Sequence, residues 1–309
     1  MVEVSITVQA FPKNSDSWLE LAREVEARGF DALTTADHPG SIAAPFVALA
    51  AAGAVTSRIG LGSYVTNGGV REPQHIAADV ATLDVVSGGR ARLGLGAGHT
   101  PAEWRAVGRE RPGVAARVER CMALVLAVQD LLAGKDVTVD SEHLSVHGAR
   151  LDQPRPVQER IPLTVGTSNS RLLRFAGKHA DVVGLSGTGR TLPDGHMHDV
   201  RWSPDVVDAQ VALVAEGAAG RSAPPVLEAL VQQVSVTDDA EGAAAEMAAH
   251  AGVQVSELLT VPYVLVGTAD EIVDAVAERH RRWGITRYVV RVDAVEAMTP
   301  LLPRLAAIG

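Results

Sequence analysis

Four stretches of the chain hold residue types that could do chemistry, and each follows a run that reads as a strand. The first is Thr35-Ala36-Asp37-His38-Pro39. An imidazole changes charge near neutral pH, so His38 can give or take a proton. A carboxylate beside it can orient the ring, favour its protonated form, or bond a heterocycle. The competing reading of Asp37 and Pro39 is an ordinary turn. The second stretch is Gly62-Ser63-Tyr64-Val65-Thr66-Asn67-Gly68-Gly69, whose small residues either make room for a flat ring or simply end a strand in a glycine turn. The third is Gly94-Leu95-Gly96-Ala97-Gly98-His99-Thr100. Its glycines let backbone approach a ligand, and the helix start that follows favours an anion. It reads G-x-G-x-G, with no obvious βαβ unit carrying an acid about 20 positions on, so it is not a dinucleotide fingerprint. The fourth is Gly166-Thr167-Ser168-Asn169-Ser170-Arg171. Glycine, hydroxyls, an amide and a guanidinium could cradle a phosphate; Ser168 or Ser170 could equally be a helix cap.

Other chemistries find less support. His196-Met197-His198 has a metal-ligand spacing but falls in an irregular segment, so no metal is expected. Cys121 falls in a helix over Arg117–Leu132 and reads as buried and inert. The only lysines are Lys13, Lys135 and Lys178; none ends a strand, which discounts Schiff-base chemistry.

The elements that must position these residues alternate. Strands are predicted over Val2–Gln9, Phe30–Thr35, Ile59–Thr66, Arg90–Leu95, Pro162–Val165, Asp181–Leu185, Val226–Val236 and Ile285–Val292. The helices between them carry start and stop signals. Ser17 with Glu20 and Thr268 with Glu271 read as capping boxes. Thr100-Pro101-Ala102-Glu103 reads as N-cap, N1 proline and N3 acid, and Gly29 as a C′ stop. Eight such units predict an α/β protein with a closed (β/α)8 TIM barrel, with a doubly wound open sheet as the alternative. In a barrel the active site gathers at the carboxyl ends of the strands, where all four stretches fall. Two insertions exceed the simple units. Residues 135–151 read as a hairpin. Residues 187–203, with Arg190, His196, His198 and Arg201, read as a long lid or binding loop.

Length and composition agree with one large barrel domain over residues 1–309. At 47% hydrophobic residues the chain can bury a core, so disorder is excluded. A single cysteine excludes a disulfide scaffold. The net charge of −9 argues against nucleic-acid binding driven by bulk charge. No targeting segment and no membrane span is expected, which makes a cytoplasmic protein the default.

Taken in order, these residues resemble the bacterial luciferase-like superfamily, and within it the coenzyme F420-dependent oxidoreductases of actinobacterial type. The matching stretches are Gly29–His38, Arg58–Thr66, Pro73–Asp79, Leu83–Gly98, Glu103–Gly108, Ile161–Ser168, Phe175–Asp181 and Val266–Ile272. The resemblance implies a (β/α)8 barrel, usually a homodimer, that binds a deazaflavin or flavin at its carboxyl end. It implies that Asp37 and His38 lie near the reactive face of the ring, with His38 as acid/base. It places Ser63 and Tyr64 on a bulge behind the ring, often with a non-proline cis peptide, and Thr66 among the cofactor-binding residues. Gly96, Ala97, Gly98 and His99 would lie beside the ring. Gly166, Thr167, Ser168, Asn169 and Ser170 would hold the phosphate. Sugar-phosphate dehydrogenases of the branch carry Glu where this chain has His99, so their substrate is not implied. The expected activity is hydride transfer between coenzyme F420 and a small organic substrate. The alternatives are an FMN-dependent monooxygenase, which would need a flavin reductase partner, and a non-catalytic cofactor-binding protein.

Overall fold

A computed structural model of the chain describes residues 3–192 and 198–308. Its main sheet has eight principal strands. They are β1 Ser5–Gln9, β2 Ala32–Thr35, β3 Gly60–Ser63, β4 Ala91–Gly96, β5 Leu163–Gly166, β6 Val182–Leu185, β7 Val226–Leu230 and β8 Ile285–Arg291. Their order is β3-β2-β1-β8-β7-β6-β5-β4, and β3 also pairs with β4, so the order closes on itself. This is the predicted (β/α)8 barrel. The registers are parallel, with Ile6 opposite Tyr288 and Leu33 opposite Leu61.

By their contacts the residues fall into two compact units. One is Ala10–Glu26 with Ala32–Gly166. It holds β2 to β5 and the helices α1 Ser15–Arg28 (up to Glu26), α2 Pro45–Gly53, α3 Pro73–Ser87, α4 Pro101–Ala106 and α5 Val114–Leu132. The predicted hairpin is present: Val137–Asp140 pairs antiparallel with Ser145–Ala149. Its base joins the core through Val137 and Leu151, which pack with Ala77, Ala81, Ala127 and Leu131. Cys121 is buried in α5, and burial pushes its thiol up to about 12, as an inert cysteine requires.

The other unit takes in β1, β6, β7, β8 and the helices α6 Ser170–His179, α7 Pro204–Gly217, α8 Ala240–Ala251 and α9 Ala269–Trp283. The Thr268–Glu271 capping box forms as predicted.

Three readings are corrected. The Ser17 cap gives way to Asn14, whose side chain accepts from the Ser17 N–H at 3.0 Å, and α1 starts at Ser15. Val226–Val236 is not one strand. The Val231 N–H bonds Val289 and the Gln232 N–H bonds Tyr263, so the chain changes partners there. Gln233–Val236 then pairs with Val264–Gly267, a strand too short to stand out in the sequence. Within 187–203, Thr188–Thr191 pairs antiparallel with His198–Val200. His196 and Met197 lie outside the described residues.

Among the described residues no helix is long and apolar enough to cross a membrane.

Candidate active site

β2 ends at Thr35, and Asp37 and His38 follow it. Asp37 is 3% exposed. Its carboxylate accepts from the Asn67 N–H at 2.9 Å and from Arg71 Nε and Nη2 at 2.6 and 2.9 Å. A bidentate guanidinium of this kind fixes both carboxylate oxygens. Asp37 therefore anchors the segment after β3, and it reaches the imidazole only through its charge.

Glu103 takes the orienting place expected of Asp37. Its Oε1 lies 2.8 Å from His38 Nδ1. Its Oε2 accepts from Asn67 Nδ2 at 2.5 Å, and Asn67 Oδ1 accepts from the Gly69 N–H at 2.9 Å. Glu103 is 4% exposed, so this carboxylate is buried with its partners. The helix-cap reading of this residue is corrected. Thr100 makes no side-chain cap, and Glu103 turns to the imidazole and the amide instead.

The electrostatics follow from this arrangement. The Glu103 hydrogen bond lifts the proton affinity of His38. Burial opposes it, and the charges of Glu103 and Asp37 add to the lift; the pKa ends above its ordinary value. With Nδ1–H donated to Glu103, Nε2 is the nitrogen left for proton exchange. The His38 side chain is 37% exposed. Its ring meets that of His99 edge-on at 5.6 Å.

The other expected residues divide by role. Thr66 Oγ1 donates to Ser63 Oγ at 2.7 Å, and Ser63 Oγ donates to the Gly94 carbonyl at 3.1 Å. Both side chains are buried, so their hydroxyls pin β3 to β4. β3 stops at Ser63 and the chain resumes pairing at Thr66–Asn67. Between them the Tyr64–Val65 peptide is cis. The Tyr64 N–H bonds the Thr35 carbonyl at 2.8 Å. Val65 packs over glycines of two strands: a Cβ on Gly94, Gly96 or Gly166 would lie 3.0, 2.7 or 3.1 Å from its methyls. Gly98 has φ 70°, and a Cβ there would come 2.1 Å from Asn67 Oδ1, so only glycine fits beside the Asn67 relay. Ala97, Gly98 and His99 are partly exposed.

Gly166 stands at the end of β5 in this unit, whereas Thr167, Ser168, Asn169 and Ser170 belong to the other. The Thr167 N–H bonds the Gly184 carbonyl at 3.1 Å. The cap of α6 is Asn169, not Ser168 or Ser170: its side chain accepts from the Arg171 and Leu172 N–H groups.

Sequence reasoning missed Asn67, Arg71 and Glu103. The available signal was a polar residue in a glycine-rich strand end, Asn67-Gly68-Gly69, and an acid soon after the next one. Most of the buried polar groups here bond one another, with Thr35 Oγ1 and Trp104 Nε1 lacking a partner among the described residues, and the partly exposed groups at the strand ends include His38, Val65, Ala97, Gly98, His99 and Gly166. Small residues with one orientated imidazole fit the face of a planar ring that exchanges a hydride.

The luciferase-like monooxygenase family model matches residues 4–287. The chain belongs to that family. A relative is the F420-dependent glucose-6-phosphate dehydrogenase of Beutenbergia cavernae, 33% identical over 54% of this chain and 52% of the relative. The chain thus spans about half the length of that enzyme. A 5,10-methylenetetrahydromethanopterin reductase of Methanopyrus kandleri is 25% identical over 91% of this chain and 76% of the relative. Among solved structures, an F420-dependent secondary alcohol dehydrogenase in complex with an F420-acetone adduct superposes with a TM-score of 0.77. That match covers 98% of this chain and 99% of the other at 20% identity, and it shows the shared fold.

Proposed function

We propose that this luciferase-like chain is an oxidoreductase that moves a hydride between coenzyme F420 and a small organic substrate, with His38 as the acid/base. The Glu103–His38 pair carries the reading. A buried carboxylate 2.8 Å from Nδ1 fixes the ring and its tautomer, which leaves Nε2 to exchange a proton. The F420-dependent relatives support the cofactor, and His38, Val65 and Ala97–His99 are the residues that would face it. The Gly166–Ser170 stretch is carried over from the family as its phosphate site.

The bound deazaflavin supplies the two-electron carrier. The protein supplies proton control. When the substrate gives up a hydride, neutral His38 takes the compensating proton at Nε2, and the resulting imidazolium is stabilised by Glu103 and by the Asp37 charge. In the reverse direction the same nitrogen returns the proton. Arg71 holds Asp37, and Asn67 holds Glu103, so neither acid has to reorganise during the step. Glucose 6-phosphate is not carried over as substrate, because His99 stands where that branch has Glu.

Titrating the protein with F420 and with FMN tests the cofactor: F420 should bind, and tight FMN binding without F420 binding would overturn the reading. With a working substrate, His38→Ala should lower kcat by roughly 10²–10⁴-fold while cofactor affinity stays nearly constant. Unchanged turnover would remove His38 from the mechanism.

A further inference from the structure

Several buried or half-buried arginines in this unit are matched in one of two ways. Arg71 pairs with Asp37, and Arg109 and Arg120 pair with Glu72. Arg90 is not in an ion pair, but it is saturated by the Ser87, Ile59, Gly53 and Thr56 carbonyls and the Thr56 hydroxyl.

Arg111 and Arg117 are matched in neither way. Arg117 Nη1 donates to the Gly98 carbonyl, and Arg111 Nη1 to the His99 carbonyl, each at 2.8 Å. A guanidinium has five N–H donors, so the burial of each one matters. Arg117 Nε is enclosed and has no acceptor among the described residues. No carboxylate among those residues lies within ion-pair distance of either side chain. Burial, and then the neighbouring positive charge of Arg111, weaken the hold of Arg117 on its proton. Arg117 also sits in the first turn of α5, which holds no acid and whose Gly113 cap offers no side chain. A cation there opposes the helix dipole. An enclosed guanidinium donor without an acceptor, beside a second positive charge, is costly unless an anion joins them.

We propose that Arg111 and Arg117 form an oxyanion subsite, for a phosphate or carboxylate group, on the Gly98–His99 loop. His99, whose carbonyl Arg111 holds, places its ring 5.6 Å from that of His38. The subsite thus shares the Gly98–His99 loop with the ring that neighbours His38. The anion belongs either to the substrate or to an acidic part of the cofactor.

The test uses the full-length protein without cofactor, so it stands whether or not F420 is bound. Arginine Nε–H resonances are followed by NMR while inorganic phosphate is added; Arg111→Gln and Arg117→Gln each delete one signal and so assign the pair. Phosphate should move both signals saturably, and each variant should weaken phosphate binding by roughly tenfold or more. Signals that stay still while phosphate binds elsewhere, or at all concentrations, overturn the proposal. F420 and its phosphate-free deazaflavin core then separate the sources. If F420 moves the signals and displaces phosphate while the core does not, the subsite serves the cofactor. If phosphate still binds in the presence of F420, it serves a substrate anion.

Discussion

Glu103 has two fixed partners, the His38 ring and the Asn67 amide. Glutamine keeps its shape and removes its charge. Glu103→Gln should therefore move the pH dependence of turnover that His38 sets toward lower pH, since the main support for the raised pKa is gone. A His38 resonance followed against pH would show the same displacement, and an unmoved titration would reject the pairing. The stability effect has a definite sign. A histidine whose pKa is raised on folding contributes stability that is full below its unfolded value of about 6.5 and is lost as pH rises through the folded value. Asp37 and His38 were visible in the sequence because a carboxylate and an imidazole stand side by side after a strand. Glu103 was not, because it lies 65 residues from His38 and its local spacing mimics a helix cap.

Elements are held to one another by polar clasps as well as by packing. Glu26, in the last turn of α1, accepts from the Ser57, Arg58 and Ile59 N–H groups just before β3. Burial works against its charge, but the three backbone donors hold the carboxyl down at about 2. A carboxylate with a depressed pKa contributes stability above its unfolded value and loses it as pH falls through the folded one. Urea midpoints measured against pH should drop between pH about 4.5 and about 2, and part of that drop should vanish in Glu26→Gln. An identical acid profile in the variant would discount the clasp. Long elements such as α5 and the hairpin were legible from their periodicity and turn chemistry. The switch at Val231 was not, because a continuous apolar run reads the same whether one neighbour or two receive it.

On the scale of the whole molecule, strand–helix alternation predicted the closed barrel, since eight repeats leave few other arrangements. The division into two units was hidden. Ala27–Asp31 belongs with the later half of the chain, so no composition shift marks a boundary. All of Asp37, His38, Asn67, Arg71 and Glu103 lie inside a single unit. The family resemblance further proposes a homodimer. Sedimentation equilibrium should return twice the chain mass at micromolar concentration. Val47 on α2 and Val86 on α3 are 74% and 54% exposed, apolar groups that such a contact could cover. Aspartate at both positions should then shift the protein toward monomer, and a wild-type monomer would end the proposal.

The Asn67 relay also bears on how the protein ages. Asparagine followed by glycine is a chemically fragile pair, because the next backbone nitrogen can attack the side-chain carbonyl and release ammonia. Here the Gly68 N–H is occupied by the Gly96 carbonyl at 2.9 Å, and both ends of the Asn67 amide are engaged. The reaction needs a conformation that the folded chain withholds. Intact-mass analysis of incubated protein should show Asn67 preserved in the native state and converted under denaturing conditions. A molecule that does convert would carry a new carboxylate against Glu103, so damage at this one peptide would silence the site it once organised.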